Sequence, residues 1–533
     1  MKSTILKIIF LNLLLISSLF ASSFETDIDK LQTNSLKKKT QVVKELYEKY
    51  SEDERLNPLF RNMVSGDLYY KENNKTFVII TKKEGKNYHT TQLLDPSKME
   101  VINKRDLDKV KTNNKLRSII KGLLAEMNLF SKKYEIRLKS AKNILDNVSK
   151  DDEKLLNKAL NLETNSKIKE VLLEAKTILD AKYKDGFEQI KAVTALGEYI
   201  SSQSLATLKQ IEASSDNEEL KKVAAKSISS VESSRSFYSV IETAFFGLSQ
   251  GSVLLLAAIG LAITFGVMKV INMAHGEMMM IGAYTTYTLQ QIMPNLIEYS
   301  IFIAIPAAFI VSGIVGIIIE RLVIRHLYGR PLETLLATFG ISLILQQLVR
   351  TIYSPLNQEV KTPSWMSGAW EINSALSLTY NRLYIIIFAL LVFIAILAVL
   401  NKTSLGLKVR AVTQNRQMAQ AMGIKTSWID AMTFGIGSGI AGIAGVALSQ
   451  LTNVGPNLGQ AYIVDSFMVV VFGGVGNLWG TLIGAVTLGE INKFIEPVAG
   501  AVLAKVIILI FIILFIQKRP RGLFPQKGRD AQD

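Results

Sequence analysis

The sequence predicts an all-α protein: a polytopic helical membrane part preceded by a secreted, mostly helical, solenoid-like domain. Three observations carry this reading. Composition changes near Phe237, from Lys, Glu, Asp, Ser and Asn to apolar runs such as LLLAAIGLAITFGV and IILIFIILFI. Repeated apolar stretches of about 20 residues mark membrane helices rather than a soluble core. The chain opens on MKSTILKIIFLNLLLISSLFASS, basic, then apolar, then small, which is the pattern of a secretory signal.

Taken in order, residues 1–22 are expected to be the signal peptide, with cleavage near Ala21. Residues 23–236 form the domain on the outer side of the membrane, and 237–529 form the membrane domain. Within the first domain, EIRLKSAKNIL, KIKEVLLEAKTIL, FEQIKAVTALGEYI and LKKVAAKSISSVE place apolar residues three and four apart, as one face of a helix requires. Short polar connections such as DNVSKDD and EASSDNEE separate them. This spacing suits antiparallel helix pairs stacked as a solenoid, with an ordinary bundle as the alternative. TFVIITKKEGKNYHTTQLLD interrupts the helices with β-branched residues around a turn, so a small hairpin is expected. His89 reads as an exposed strand residue.

Nine apolar segments follow, at roughly 244–268, 275–293, 299–319, 332–352, 383–400, 430–451, 463–476, 480–497 and 499–517. The seventh and eighth are short, and as a re-entrant pair they would reduce the spans to eight. Alternating from an outer start, inner loops carry 14 basic residues, Lys269, Arg321, Arg410 and Arg519 among them, while outer loops and helix ends carry Arg350, Lys361, Arg382 and Lys493. That asymmetry orients the chain with its carboxyl terminus inside. Gly435 with Gly439, Gly437 with Ala441 and Gly445, and Gly476 with Gly480 and Gly484 form ridges of small residues that let helices approach closely.

Charge and composition exclude several classes. The net charge is +15, yet 42 of the 61 basic residues precede Phe237 among 33 acids, so they read as a solvated helical surface and not a nucleic-acid face. Without cysteine there are no disulfides, thiolate metal sites or thiol nucleophiles. GGVGNLWGT is glycine-rich but lacks the lysine of a phosphate-binding loop. His275 and Glu277, two apart, point to different faces of a helix, which argues against a metal pair. No catalytic constellation is evident, and no cofactor is expected.

Polar groups at membrane depth are costly and therefore face an interior or water. Thr338, Ser342 and Gln346 recur every four residues and form one stripe. Asn272, His275 and Glu277 cluster toward the inner end of the first two segments. Together these six are candidates for a polar path, or for ties between helices. Gln346→Leu is expected to slow passage at little cost to folding. Glu490 and Lys505 are candidates to pair. The long basic inner loop, NKTSLGLKVRAVTQNRQMAQAMGIKTSWID, ends a short helix at Gly423 and has apolar positions Val412, Met418, Ala419 and Met422, which suit docking of a cytoplasmic partner.

GLAITFGVMKVINMAHGEMMMIGAYTTY, VRAVTQNRQMAQAMGI and FGIGSGIAGIAGVAL resemble the permeases of the branched-chain amino acid class of ATP-binding-cassette importers, over residues 240–529. RHLYGRPLETLLATFGISLILQQ, LTNVGPNLGQAYIVDSFMVVVFGGVG and IILFIQKRPRGLFPQKGR resemble, more narrowly, the first membrane subunit of the urea permeases of that class. The resemblance implies an inner-membrane importer of urea, working with a second permease, two cytoplasmic ATPases and a periplasmic binding protein. It also implies that an inner-loop helix docks on the ATPase. Arg410, Gln417, Met418, Ala419 and Gly423 mark that segment here, although Gln417 and Met418 depart from the Glu-Ala of the family pattern. A branched-chain amino acid or small-amide permease of the same architecture is the alternative. A passive urea channel would not need the basic loop. A sensor would need a cytoplasmic signalling domain, and only 16 residues follow Gln517.

Overall fold

The computed structural model describes residues 24–524 except residue 52, so the expected signal peptide and the basic residues Lys527 and Arg529 lie outside the described residues. The chain forms two compact units, one ending at Glu232 and the other beginning at Ser233.

The first unit opens with helices α1 (Phe24–Asp29), α2 (Leu36–Tyr50) and α3 (Leu56–Ser65). Strands β1 (Leu68–Lys71), β2 (Phe77–Glu84), β3 (Asn87–Gln92), β4 (Met99–Asn103) and β5 (Leu107–Lys109) follow. The expected hairpin is β2 paired with β3, closing from Glu84 to Asn87 through Gly85 at φ +61°. It is larger than expected, because it is the middle of a five-stranded antiparallel sheet ordered β4-β3-β2-β1-β5. The three added strands have five residues or fewer, too short for alternation to show in the sequence. Leu46, Leu59, Phe60, Leu116 and Ile120 form one apolar core beside the sheet.

Helices α4 (Asn114–Leu129), α5 (Tyr134–Asp146), α6 (Glu153–Leu162), α7 (Ser166–Tyr183), α8 (Gly186–Leu196) and α9 (Ser202–Ser214) complete the unit with the start of α10 (Glu218–Met268). Side-chain caps from Asn113, Asn165 and Ser201 fix three of the starts by accepting first-turn N–H groups. Helix α7 packs against α5, α6, α8 and α9, each helix meeting its neighbour or next neighbour in sequence. Leu156, Leu172, Ile178, Leu196, Leu208 and Ala224 fill the second core. His89 stands on β3, 3.3 Å from Glu84.

All nine apolar segments are helical. After α10 come α11 (His275–Ile292), α12 (Ser300–Leu322), α13 (Pro331–Tyr353), a short hairpin of β6 (Ala369–Asn373) and β7 (Leu376–Thr379), and α14 (Tyr380–Lys402). Then follow α15 (Ser404–Gln414), α16 (Arg416–Ala421), α17 (Thr426–Ser449), α18 (Leu458–Gly473), α19 (Leu478–Ala499) and α20 (Ala501–Lys518). Among the described residues six helices are long and apolar enough to cross a membrane: α10, Pro294–Leu322, α13, α14, α17 and α20. Phe302, Trp365 and Tyr384 cluster at the helix ends opposite the basic loops, with Phe302 stacked 5.4 Å from Trp365. The amphipathic rings of Trp and Tyr gather in this way at a membrane interface.

Helix α17 is the hub, and its glycines do the packing. Gly435 and Gly439 lie against Ile317 and Phe309 of α12, and Gly437 against Gly260 and Thr264 of α10. A methyl group at Gly282 of α11 would overlap the carbonyl oxygen of Gly442, and one at Gly445 that of Met279. Backbone thus meets backbone, which is what small residues permit where lipid removes the hydrophobic drive between helices. The expected pairing of Glu490 with Lys505 does not occur. Lys505 Nζ donates to Asp465 of α18 at 3.0 Å, whereas the Glu490 carboxylate lies against Gly247 of α10. Helix facing decides this, and two helix sequences alone do not contain it.

Candidate functional site

Between α10 and α11 the chain leaves helical geometry at Lys269, whose φ is +52°. Inside a membrane the freed backbone groups must find partners within the protein. Asn272 accepts the Ala274 N–H at 3.0 Å, and Thr338 of α13 accepts the Met273 N–H at 3.1 Å. Helix α11 then begins at His275, with its acidic residue Glu277 in the first turn, where the positive end of the helix dipole favours negative charge.

The stripe on α13 meets that carboxylate. Ser342 Oγ and Gln346 Nε2 each donate to Glu277 Oε1 at 2.8 Å. Glu277 is 1% exposed, and its Oε2 is buried without a hydrogen-bond partner. Its polar surroundings continue toward the far end of α11. Tyr284 and Tyr353 pack with ring centroids 4.7 Å apart, and Tyr287 stands 6.1 Å from Tyr353. Thr288 Oγ1 and the Tyr353 hydroxyl hydrogen-bond at 2.7 Å, and Tyr287 donates to Gln358 Oε1 at 3.2 Å. The Tyr284 hydroxyl is a second buried polar atom without a partner. Helices α11 and α13 therefore share a polar seam running from Thr338 past the carboxylate to a cap of three tyrosines.

The structure gathers Glu277, Ser342 and Gln346 into one network. Thr338 and Asn272 serve the backbone at the start of α11. His275 turns the other way: its Nε2 donates to the Ala257 carbonyl of α10 at 3.0 Å, and Nδ1 is unpartnered. Among the described residues no group of three His, Cys, Asp or Glu side chains could hold a metal ion. The three tyrosines were missed in the sequence. Their signal was present, since Tyr284 lies seven residues from Glu277, on the same helix face.

The second candidate region is the basic segment. Helix α16 is capped by Asn415, whose side chain accepts the Met418 N–H at 2.9 Å, and the chain turns away just after it at Gly423, with φ +82°. Val412 and Ala419 face inward, at 3% and 4% exposure, whereas Met418 and Met422 stand out at 60% and 76%. Gln417 is exposed beside them, and Arg410 donates to the Leu400 carbonyl. Two apolar anchors hold the segment, and two methionines are offered outward.

A polytopic helical bundle whose interior carries a buried polar seam, and which presents a basic loop with exposed methionines, is built as a membrane permease. The family described as branched-chain amino acid transport system, permease component, matches residues 243–516. The chain belongs to that family. A high-affinity branched-chain amino acid transport system permease protein of Pseudomonas aeruginosa is 29% identical over 296 residues, 54% of this chain and 96% of its own. Its counterpart in Escherichia coli is 28% identical over 300 residues, 54% and 97%. A probable branched-chain amino acid transport permease protein of Methanocaldococcus jannaschii is 28% identical over 283 residues, 51% and 88%. No solved structure matches. The relatives are transport permeases and not enzymes, and they align with about half of the chain, the half that contains both candidate regions.

Proposed function

We propose that this chain is the first membrane subunit of an ATP-driven importer of urea, with Glu277, Ser342 and Gln346 on its translocation path. The observation that carries the path is the unpartnered oxygen of Glu277 in a buried polar seam whose Ser342 and Gln346 donate to its other oxygen. Urea has N–H donors for a carboxylate and a carbonyl for the amide of Gln346, so it passes by exchanging hydrogen bonds. The long motifs that resemble urea permeases support this cargo. So does the seam itself, where the one carboxylate is bonded to a hydroxyl and an amide and to no cation. An amino acid calls for helix ends or charges near both its ionic groups. The branched-chain amino acid reading rests on the relatives, which are permeases of branched-chain amino acid transport systems, and on the capacity of Glu277 to hold an ammonium group.

In this reading the first unit is periplasmic and the basic loops are cytoplasmic. A second permease, two ATPases and a periplasmic binding protein complete the machine in the inner membrane. The segment of Arg410, Gln417, Met418, Ala419 and Gly423 couples to an ATPase through its exposed methionines. Uptake of labelled urea by membrane vesicles, with and without ATP and binding protein, tests the proposal. Uptake of leucine but not urea would move the cargo to the alternative, and uptake without ATP would end the reading as an importer.

A further inference from the structure

Where α16 leaves the basic segment, charged groups from four elements converge. Arg416, the first residue of α16, forks onto Asp430 of α17: Nη1 donates to Oδ1 at 3.0 Å and Nη2 donates to Oδ2. Its guanidinium lies 4.1 Å from the ring centroid of Tyr328, in the turn after α12. Asp430 is 3% exposed. Glu320, on the last turn of α12, is 1% exposed, and its Oε2 has no hydrogen-bond partner. Arg321 Nε approaches that oxygen only to 3.6 Å, and Arg416, Asp430 and Arg325 lie within its electrostatic range.

A planar guanidinium that grips a carboxylate with two bonds fixes direction as well as distance. Helix α16 has six residues, too few to stand as an isolated helix, so this fork is a principal tie between it and α17. Helix α17 in turn meets α11 backbone to backbone at Gly442 and Gly445, and α11 carries Glu277. These contacts would pass a shift of α16 through Asp430 to the helix that holds the polar seam.

We propose that Arg416 is the positioning residue that converts movement of α16 into movement of the membrane helices, with Asp430 as its seat. This rests on the basic segment being the ATPase contact. The test uses the complete transporter in proteoliposomes and reads urea moved per ATP hydrolysed. Arg416→Lys keeps the charge and loses the fork; Asp430→Asn weakens the seat. Both are expected to keep the ATPase subunits bound, while cargo per ATP falls by about tenfold, within the usual span of coupling between sites. The paired exchange Arg416→Asp with Asp430→Arg should recover more of the ratio than either single exchange, which a merely structural defect would not produce. An unchanged ratio in Arg416→Lys and Asp430→Asn would overturn the proposal. So would loss of the ATPase subunits from the purified variants, because Arg416 would then be a docking contact. A wild-type complex that moves neither urea nor amino acid with ATP would sink the importer reading and this inference together.

Discussion

Replacing Gln346 with leucine removes one of the two donors that hold Glu277 Oε1, the bond from Nε2 at 2.8 Å. Leucine would be benign in a lipid-facing helix, but Gln346 is 3% exposed and faces a buried carboxylate, so the low folding cost expected for this exchange no longer holds. Hydrogen bonds to charged groups contribute about 1.5–3 kcal/mol each, a factor of roughly 10 to 150 in an equilibrium constant. The carboxylate would keep Ser342 alone, at 2.8 Å. The expected result is a purified transporter destabilised by about that amount, with slowed urea uptake per assembled complex. Adding Glu277→Leu to Gln346→Leu removes the stranded charge, and should recover stability while uptake stays low. Thermal unfolding of the four variants, wild type, both singles and the double, gives the coupling energy. If Gln346→Leu unfolds with the wild type and transports at its rate, the seam is neither a tie nor a path.

Three further outcomes follow from the same contacts. Gly423→Pro and Ala419→Asp should abolish uptake with membrane insertion intact, because φ at Gly423 is +82° and Ala419 is buried; uptake assays on matched amounts of inserted protein check this. Gly282→Leu drives a side chain into the Gly442 backbone and should cost about 1–3 kcal/mol or more by overpacking, read as a lowered unfolding temperature. In the first unit, burial would push the Glu163 carboxyl up, but the N–H groups of Asn165 and Thr164 and the Arg137 guanidinium outweigh it and hold its pKa below the ordinary value. That stabilisation is present above the unfolded value of about 4.3 and is lost as pH falls through the lower folded value. Glu163→Gln should therefore speed amide exchange around Arg137 at pH 7, and the difference from wild type should shrink on acidification.

The periodic features of this chain were legible in its sequence. Ser342 and Gln346 declare one helix face by their spacing, and the glycines of α17 declare a packing surface. What each face meets was not legible, because pairing between helices is set by the assembled bundle. Glu277 finds the stripe, while His275, two residues earlier, finds α10 instead. Lys505 chooses Asp465 over Glu490 for the same reason. The three added strands of the sheet hid because they have three to five residues, which leaves alternation two repeats or fewer. Asp430 and Glu320 left a simpler trace, as two of the few acids after Phe237, each near a helix end beside basic loops.

The bare contacts of α17 also say where this bundle can bend. A joint made of opposed main chains has no side chains to re-seat, so it gains no rotamer entropy by loosening. It offers no intermediate position between seated and broken. Helices α11 and α17 are therefore one stiff block. Any alternation of access has to be taken up at boundaries lined by longer residues, and the α11–α13 seam, with its tyrosines and its half-satisfied carboxylate, is such a boundary.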